Sequence, residues 1–401
     1  MGTLLNKGMI YLDSIVVTGY GIKVPGALSK EEFRSILQKG TCTQSVLEGK
    51  GKKGASIIAG VIDDDFISMR ERNYRKYPRS TRLALAATND AVKMANLSYD
   101  PQRVGVIIGT SAGAILEIEE YSNVGLNLKK FPIHGVSLVD THTLSATVSE
   151  HIGARGPTFT LTTGCTSSID TMLLGKQLLR SGQIDACIVG GTDAPLGQWS
   201  INGFSKIRSL AFNTSIHQTG VPFSEDHHGL VLSEGAGICI LEREEDAKNQ
   251  NKTIYGHVRK VISRNEGKPM LKFDESGQEM LSVYKDTVKD YLPCYVNSQA
   301  LGIETNDRIE AFVHQETFQS DVPITSIKGM IGHSFAAIGA IQLISALISI
   351  EHGFIPPTIK TRGKGFEELP IVLETKYQPV KVVSITTHGN SGNNACLLVT
   401  K

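Results

Sequence analysis

Residues 159–182 read FTLTTGCTSSIDTMLLGKQLLRSG, and residues 323–353 read PITSIKGMIGHSFAAIGAIQLISALISIEHG. Each opens on a short strand-like run, passes a glycine turn, presents one reactive side chain (Cys165 or His333) and continues as a long helical pattern. The helices run out near Gly182 and Gly353, as left-handed caps require. The second helix is apolar almost all round, through Phe335, Ile338, Ile341, Leu343, Ile344 and Leu347. A helix without a polar face has to be covered by protein on every side. The repeat therefore predicts two related halves with their long helices back to back at the centre. Gly175 and Gly339 lie inside these helices, where glycine costs about 1 kcal/mol relative to alanine and permits close approach. The charged stretch EREEDAKNQNKT (242–253) places the division, giving halves 10–255 and 256–401.

Outward from this pair, SIVVTGYG (14–21), VGVIIGTSAG (104–113), CIVGGTDA (187–194) and GICILE (237–242) are β-branched runs that include or end on Gly, the pattern of buried strands. Helical spacing between them, as in Thr81–Leu97, predicts an α/β protein with largely parallel sheets. A chain of 401 residues also exceeds the roughly 250–300 residues of one core. The segment 265–308 reads as a polar insertion carrying one helix, Gln278–Tyr291.

Composition excludes several classes. Lys and Arg number 41 against 40 Asp and Glu, so no global field favours nucleic acid or an anionic membrane. The basic cluster Arg70–Arg82 is short and interrupted, a solvated or subunit-facing surface. The cysteines at 42, 165, 187, 239, 294 and 396 are scattered and form no CxxC pair, so neither a disulfide framework nor a zinc site is expected, and no metal is implied. Cys187 and Cys239 sit in apolar runs and read as small buried hydrophobes. The first residues lack the basic start and apolar core of a signal peptide, and the cytoplasm is the expected location.

For chemistry, Cys165 stands at a helix start, where unpaired N–H groups and the helix dipole favour thiolate and can hold an oxyanion. A buried structural thiol is the competing reading. His333 occupies the matching point of the second half and would face Cys165 across a pseudo-twofold. His314 follows the strand-like IEAFV and is expected at a strand's C-terminal end, where open α/β sheets place their sites. Lys328 could pair with a carboxylate and tune the imidazoles. The turn within TTHGNSGNNACLLVTK can bring bare backbone N–H groups to a ligand.

IVVTGYGIKVPG, GVIIGTSAG, TLTTGCTSSID, DACIVGGTDAPLG, PFSEDHHGLVLSEGAG, TSIKGMIGHSFAAIGAI and the Gly/Asn-rich final turn together resemble the condensing enzymes of type II fatty-acid and polyketide synthesis, in the thiolase superfamily. The resemblance implies a duplicated five-layered αβαβα fold, usually in a dimer with a like or ketosynthase-like subunit, and an acyl carrier protein as partner. It implies no organic cofactor beyond the carrier's phosphopantetheine. Carried over, Cys165 resembles the acyl-accepting nucleophile, His314 and His333 the two histidines beside it, and Lys328 the lysine of K-x-x-x-x-H. Gly389, Asn390 and Gly392 match the oxyanion and gate turn, whose usual Gly-Phe-Gly-Gly-Thr-Asn becomes Gly389-Asn390-Ser391-Gly392-Asn393-Asn394, with His388 before it. Thr317, Phe204 and Ser111 are expected to bind substrate. The family's Asn-Ala-His-Gly-Thr appears as Phe312-Val313-His314-Gln315-Glu316-Thr317, and the stretch from His314 to Lys328 is shortened. The implied reaction is decarboxylative condensation of a Cys-bound acyl group with a malonyl thioester. Acyl transfer to another acceptor, and a silent chain-length-factor-like subunit, are the alternatives.

Overall fold

The computed structural model describes residues 14–63, 76–122, 127, 129–210, 212, 215–225, 229–269, 274–319, 321–389 and 392–401. Ten strands carry the architecture: β1 (Ile15–Lys23), β2 (Val104–Gly109), β3 (Thr158–Leu161), β4 (Ala186–Asp193), β5 (Gly235–Arg243), β6 (Gly256–Asn265), β7 (Tyr295–Asn297), β8 (Ile324–Thr325), β9 (Val382–His388) and β10 (Asn393–Thr400). Of the helices among the described residues, those that build the layers are α1 (Arg79–Ala95), α2 (His142–Ile152), α3 (Ser167–Arg180), α4 (Gln278–Val288), α5 (Glu304–Phe318) and α6 (Ile338–His352).

The strand order is β8-β7-β9-β10-β6-β1-β5-β4-β2-β3. Split between β6 and β1, it becomes one topology used twice. In each half the first of five strands lies at the shared seam and the third at the outer edge. Strands two, three and four run parallel as neighbours, and the fifth is antiparallel to both strands beside it. The halves meet along only two residue pairs, Val16 with His257 and Val17 with Gly256. The helices repeat too, with α1, α2 and α3 in the chain positions that α4, α5 and α6 take in the second half.

α3 and α6 form the layer between the sheets, α3 against β2 and β4 and α6 against β5 and β9, while α1 and α2 cover one outer face and α4 the other, with α5 packed on α4. This is the five-layered αβαβα arrangement that the resemblance implied. Every residue of α6 from Ile338 to Ile350 is buried, as its all-round apolar pattern demands. Among the described residues, Phe335–His352 is long and apolar enough to cross a bilayer, but 89 % of it lies inside the protein. A Cβ at Gly339 would fall 2.6 Å from Ile169 Cγ1 of α3, so glycine does permit the central helices to touch. Gly175 serves differently from expectation. Its Cβ would fall 2.7 Å from Val189 Cγ1, so it lets α3 approach β4 rather than α6.

Two expectations are corrected here. Residues 265–308 are no insertion: they hold the end of β6, α4, β7 and the start of α5, all integral to the second half. The strand expected before His314 is instead helical, because IEAFV belongs to α5. An apolar run of five residues cannot distinguish the two periods, and here the charged residues before it complete a helical pattern. Cys187 and Cys239 are fully buried in the sheets. Arg70, Arg72 and Arg75 of the basic cluster lie outside the described residues.

Candidate active site

The first half delivers Cys165. β3 stops at Leu161, Gly164 turns at φ +71°, and Gly164–Thr166 make a single 3-10 turn into α3. Thr163 N–H donates to Ser167 Oγ at 2.9 Å and Ser167 Oγ donates to the Gly164 carbonyl at 2.6 Å, pinning the turn to the helix start. The second half delivers His333 by the same route: β8, a one-turn helix Lys328–Ile331, Gly332 at φ +81°, then the histidine. Its backbone N–H donates to the Val231 carbonyl at 2.8 Å and its carbonyl accepts from Ser233 N at 3.0 Å. Phe335, at φ +45°, sets its ring edge-on to His333 with centroids 5.5 Å apart and stacks on Phe204 at 5.0 Å. Cys165 Sγ and His333 Nε2 are thereby 3.1 Å apart, the separation of a hydrogen-bonded nucleophile and base.

Burial shifts both members of the pair toward their neutral forms. Burial, reinforced by the Asp193 carboxylate, pushes the Cys165 thiol up to about 12 despite the opposing pull of Lys328. Burial, then the charges of Lys328 and His388, hold His333 well below the ordinary imidazole range. Both shifts run against the thiolate expected at a helix start. The helix start is present, but desolvation outweighs it.

A second group of side chains lies behind the pair. Lys328 is buried, its Nζ donates to the Ser298 carbonyl at 2.8 Å, and burial pushes it down to about 7 against the pull of Glu310 and Asp307. No ion pair joins Lys328 to a carboxylate among the described residues. Glu310 on α5 accepts from Ser298 Oγ at 2.7 Å and from Thr386 Oγ1 at 3.2 Å, and its Oε1 lies 3.3 Å from His388 Nε2. Burial pushes this carboxyl up, but His388, Ser298 and Lys328 together hold it below its usual value. Gln299, two residues beyond the end of β7, donates from Nε2 to the His388 carbonyl at 3.3 Å, while its Oε1 is buried with no partner. On the opposite side Asp193, at the end of β4, accepts from Thr110 Oγ1 (2.7 Å), the N–H groups of Ser111 (3.0 Å) and Ala112 (2.8 Å), and Ala336 N (2.9 Å).

Not every expected residue comes to this place. His314 faces the core beside Phe318 (ring centroids 5.4 Å), and its Nε2–H donates to the Val322 carbonyl at 2.8 Å. Burial pushes it down to about 4, and no contact with Cys165, His333 or Lys328 is found among the described residues. Thr317, farther along the same helix, donates to the Val313 carbonyl at 2.7 Å and has no place near Cys165. Phe204 packs in one apolar cluster with Cys165 and Phe335, as a substrate-lining residue should. Ser111 is an exposed residue on the turn that Asp193 holds. Gly389 and Gly392 are not open donors: Gly389 N–H is bonded to the Asn393 carbonyl at 2.9 Å and Gly392 N–H to the Gly389 carbonyl at 3.1 Å. Gly389 acts by what it lacks, since a Cβ there would sit 3.1 Å from Cys165 N and cover the amide. Asn390 lies outside the described residues.

With this geometry established, the chain was compared with known proteins. Residues 12–247 match the model for the beta-ketoacyl synthase N-terminal domain, and residues 255–362 the model for its C-terminal domain. The chain belongs to the beta-ketoacyl synthase family. It is 31 % identical over 369 residues to the tetracenomycin polyketide synthase ketoacyl synthase alpha subunit of Streptomyces glaucescens, covering 86 % of each chain. It is 26 % identical over 329 residues to the mitochondrial 3-oxoacyl-[acyl-carrier-protein] synthase of Arabidopsis thaliana, covering 78 % of this chain and 71 % of that one. Among solved structures, a ketosynthase complex described as a "type II PKS acyl-carrier protein in complex with its ketosynthase bound to the hexaketide" superposes with a TM-score of 0.86 at 25 % identity, over 97 % of this chain and 99 % of that one. The ishigamide ketosynthase/chain length factor shares the fold, with a TM-score of 0.87 at 22 % identity over 97 % of this chain and 99 % of that one.

For a beta-ketoacyl synthase, the register at β7 now changes. The strand end reads Asn297-Ser298-Gln299-Ala300-Leu301, in the place where the resemblance leads one to look for Asn-Ala-His-Gly-Thr. Gln299 stands third in that run, where the motif carries its histidine. Gln299, Glu310, Asp193 and His388 were not read from the sequence as site residues. The signal for the first was the Asn following the short β-branched run YV, masked by a histidine that lay nearby in the sequence.

Proposed function

We propose that this protein is a ketosynthase whose nucleophile is Cys165 and whose base is His333. The observation that carries the reading is the 3.1 Å contact between Cys165 Sγ and His333 Nε2, at a point where both halves bring strand ends together. In the first step Sγ attacks the carbonyl of a carrier-bound acyl thioester while neutral His333 takes the thiol proton. The carrier thiolate leaves and takes up that proton, and Cys165 holds the acyl group. The Cys165 N–H, kept clear by Gly389, is aimed at the oxyanion. A malonyl thioester then loses CO₂, its C–C bond electrons forming an enolate. The enolate carbon attacks the acyl-Cys carbonyl, and the Cys165 thiolate leaves and is reprotonated. Splitting the exchange through a thioester makes each step easier.

The same reading takes a phosphopantetheine-bearing acyl carrier protein as partner, a polyketide or fatty-acid-like pathway, a cytoplasmic location, and the division into residues 10–255 and 256–401. A second ketosynthase-like subunit, identical or not, would cover the β3 edge, where Phe159, Val136, Val139 and Ile133 expose apolar surface. One observation favours a second reading. Gln299 cannot act as an imidazole, and a site with one working histidine can pass the Cys-bound acyl group to a non-malonyl acceptor without decarboxylation. The test is intact-mass detection of acyl-Cys165 together with CO₂ release from a labelled malonyl thioester. Acylation that C165A abolishes, with CO₂ release, supports condensation. Acylation without CO₂ release sinks condensation in favour of transfer.

A further inference from the structure

We propose that His388 supplies a second imidazole to this site from the end of β9, replacing the one that Gln299 no longer offers at the end of β7, and that it holds the thioester carbonyl of the substrate that loses CO₂. This rests on the ketosynthase reading and deepens it. β7 and β9 are parallel neighbours, with Tyr295 opposite Val383 and Asn297 opposite Ile385, so their C-terminal ends open on the same side. Continuing past these ends, the chain reaches Gln299 on one strand and His388 on the other.

Gln299 is committed to placing His388. Its Nε2 donates to the His388 carbonyl at 3.3 Å, and Gln299 N accepts no substrate role because its N–H donates to Thr386 Oγ1 at 3.2 Å. The His388 ring lies beside a carboxylate without a formed hydrogen bond to it. Its Nε2 lies 3.3 Å from Glu310 Oε1, and Glu310 is fixed in turn by the hydroxyls of Ser298 and Thr386. That nitrogen is buried, whereas the side chain keeps 16 % of its surface exposed, so the open part is the remainder of the ring. The residue that follows, Gly389, lies against the Cys165 amide, which brings the ring to the neighbourhood of the nucleophile. A donor on a ring beside a carboxylate is the arrangement that orients an imidazole toward reacting atoms. When CO₂ departs, the electron pair moves onto the thioester oxygen. An N–H of the His388 ring stabilises that oxygen where the charge appears.

The test uses the full-length protein with hexanoyl and carboxyl-labelled malonyl thioesters of a phosphopantetheinylated carrier protein, comparing the parent with His388→Gln. The expected result is hexanoyl loading of Cys165 within threefold of the parent, by intact mass, while CO₂ release falls about 30-fold or more. The proposal is overturned if CO₂ release falls less than about tenfold, or if loading falls in proportion to it, which is what a merely structural role would give. If H388Q does not fold by circular dichroism, His388→Phe, which keeps an aromatic ring at this position, is read by the same two outcomes. A parent protein that fails to load Cys165 refutes the ketosynthase reading itself, and this inference with it.

Discussion

The resting state of Cys165 can be read directly from its alkylation rate. A free cysteine with a pKa near 8.5 is about one-quarter thiolate at pH 8. Pushed up to about 12, Cys165 is about one part in ten thousand thiolate at the same pH, roughly 2,000-fold less. Small neutral iodoacetamide reacts with thiolate alone and needs no base. Its rate at Cys165, followed by intact mass and assigned by peptide mapping, is therefore expected to rise tenfold per pH unit from 7 to 9 without a plateau. Loading by an acyl thioester should behave differently, because there His333 accepts the proton in the transition state. His333→Ala is expected to lower loading by about 10²–10⁴-fold, while leaving the iodoacetamide rate within about fivefold. The Lys328→Met variant removes the one charge that pulls the thiol down and should slow alkylation further near pH 7, an effect that fades toward pH 9 as Lys328 loses its proton. An alkylation rate that levels off below pH 8, or an equal loss of both reactions in H333A, would refute the reasoning. The first would mean that Cys165 rests as a thiolate paired with an imidazolium. The second would mean that His333 sets the thiol's ionisation rather than catalysing its attack.

Other expectations follow from the buried groups and the central helices. Lys328, pushed from 10.5 to about 7, is unprotonated in the folded chain over a pH range in which the unfolded chain still carries the proton. Folding stability should therefore rise between pH 7 and pH 10, by at most about 5 kcal/mol from this group. Lys328→Met abolishes that contribution, so its advantage or deficit in Tm relative to the parent should shift against it over this window, which a pH series of thermal melts checks. Gly339→Val places atoms 2.6 Å from Ile169 and should cost about 1–3 kcal/mol or more in urea denaturation. Gly203→Ala, inside the helix Gln198–Lys206 with nothing within 4 Å of the new Cβ, should instead stabilise by about 0.5–1 kcal/mol. His314→Gln should lose about 1–2 kcal/mol through its bond to the Val322 carbonyl, while Cys165 loading stays within threefold. Loss of loading would return His314 to the site.

What the sequence made legible was the repeat. Cys165 and His333 each follow a strand and a glycine turn and precede a long helix, and that spacing alone places them face to face once the helices pack. The apolar completeness of α6 could be read as well, because a helix without a polar side has only one kind of surroundings. His314 was misread for a physical reason: a run of five apolar residues fits both a buried strand and a helix, and the length that decides between them extended back into polar Glu304–Arg308. β7, by contrast, is only three residues long, Tyr295–Asn297, too short for a period to show. The upward shift of the thiol was not legible, because a helix start is visible in a sequence and burial of the thiol is not. Local dipoles and desolvation oppose each other at Cys165, and only packing reveals which prevails.

The two halves also explain why the chemistry escapes a reading by repeats. Each fourth strand ends at the site with a titratable side chain, Asp193 on β4 and His388 on β9. Asp193 is wholly buried, accepts one hydroxyl and three backbone N–H groups, and ties the β2 turn to Ala336 near the start of α6. Burial pushes it up to about 6, yet each of these partners is a donor, so its work is to hold backbone in place. His388 meets a single carboxylate and keeps part of its ring open. The same divergence separates the second strands, where β2 runs into the turn at Thr110 and Ser111 and β7 runs into Gln299. Duplication therefore supplies the strand ends and their convergence, while reactivity arises where the halves differ. A residue's catalytic role follows from which of its polar atoms the fold leaves unspent. By that measure Asp193 is scaffold, and His388, next to the turn that grazes the Cys165 amide, is available for chemistry.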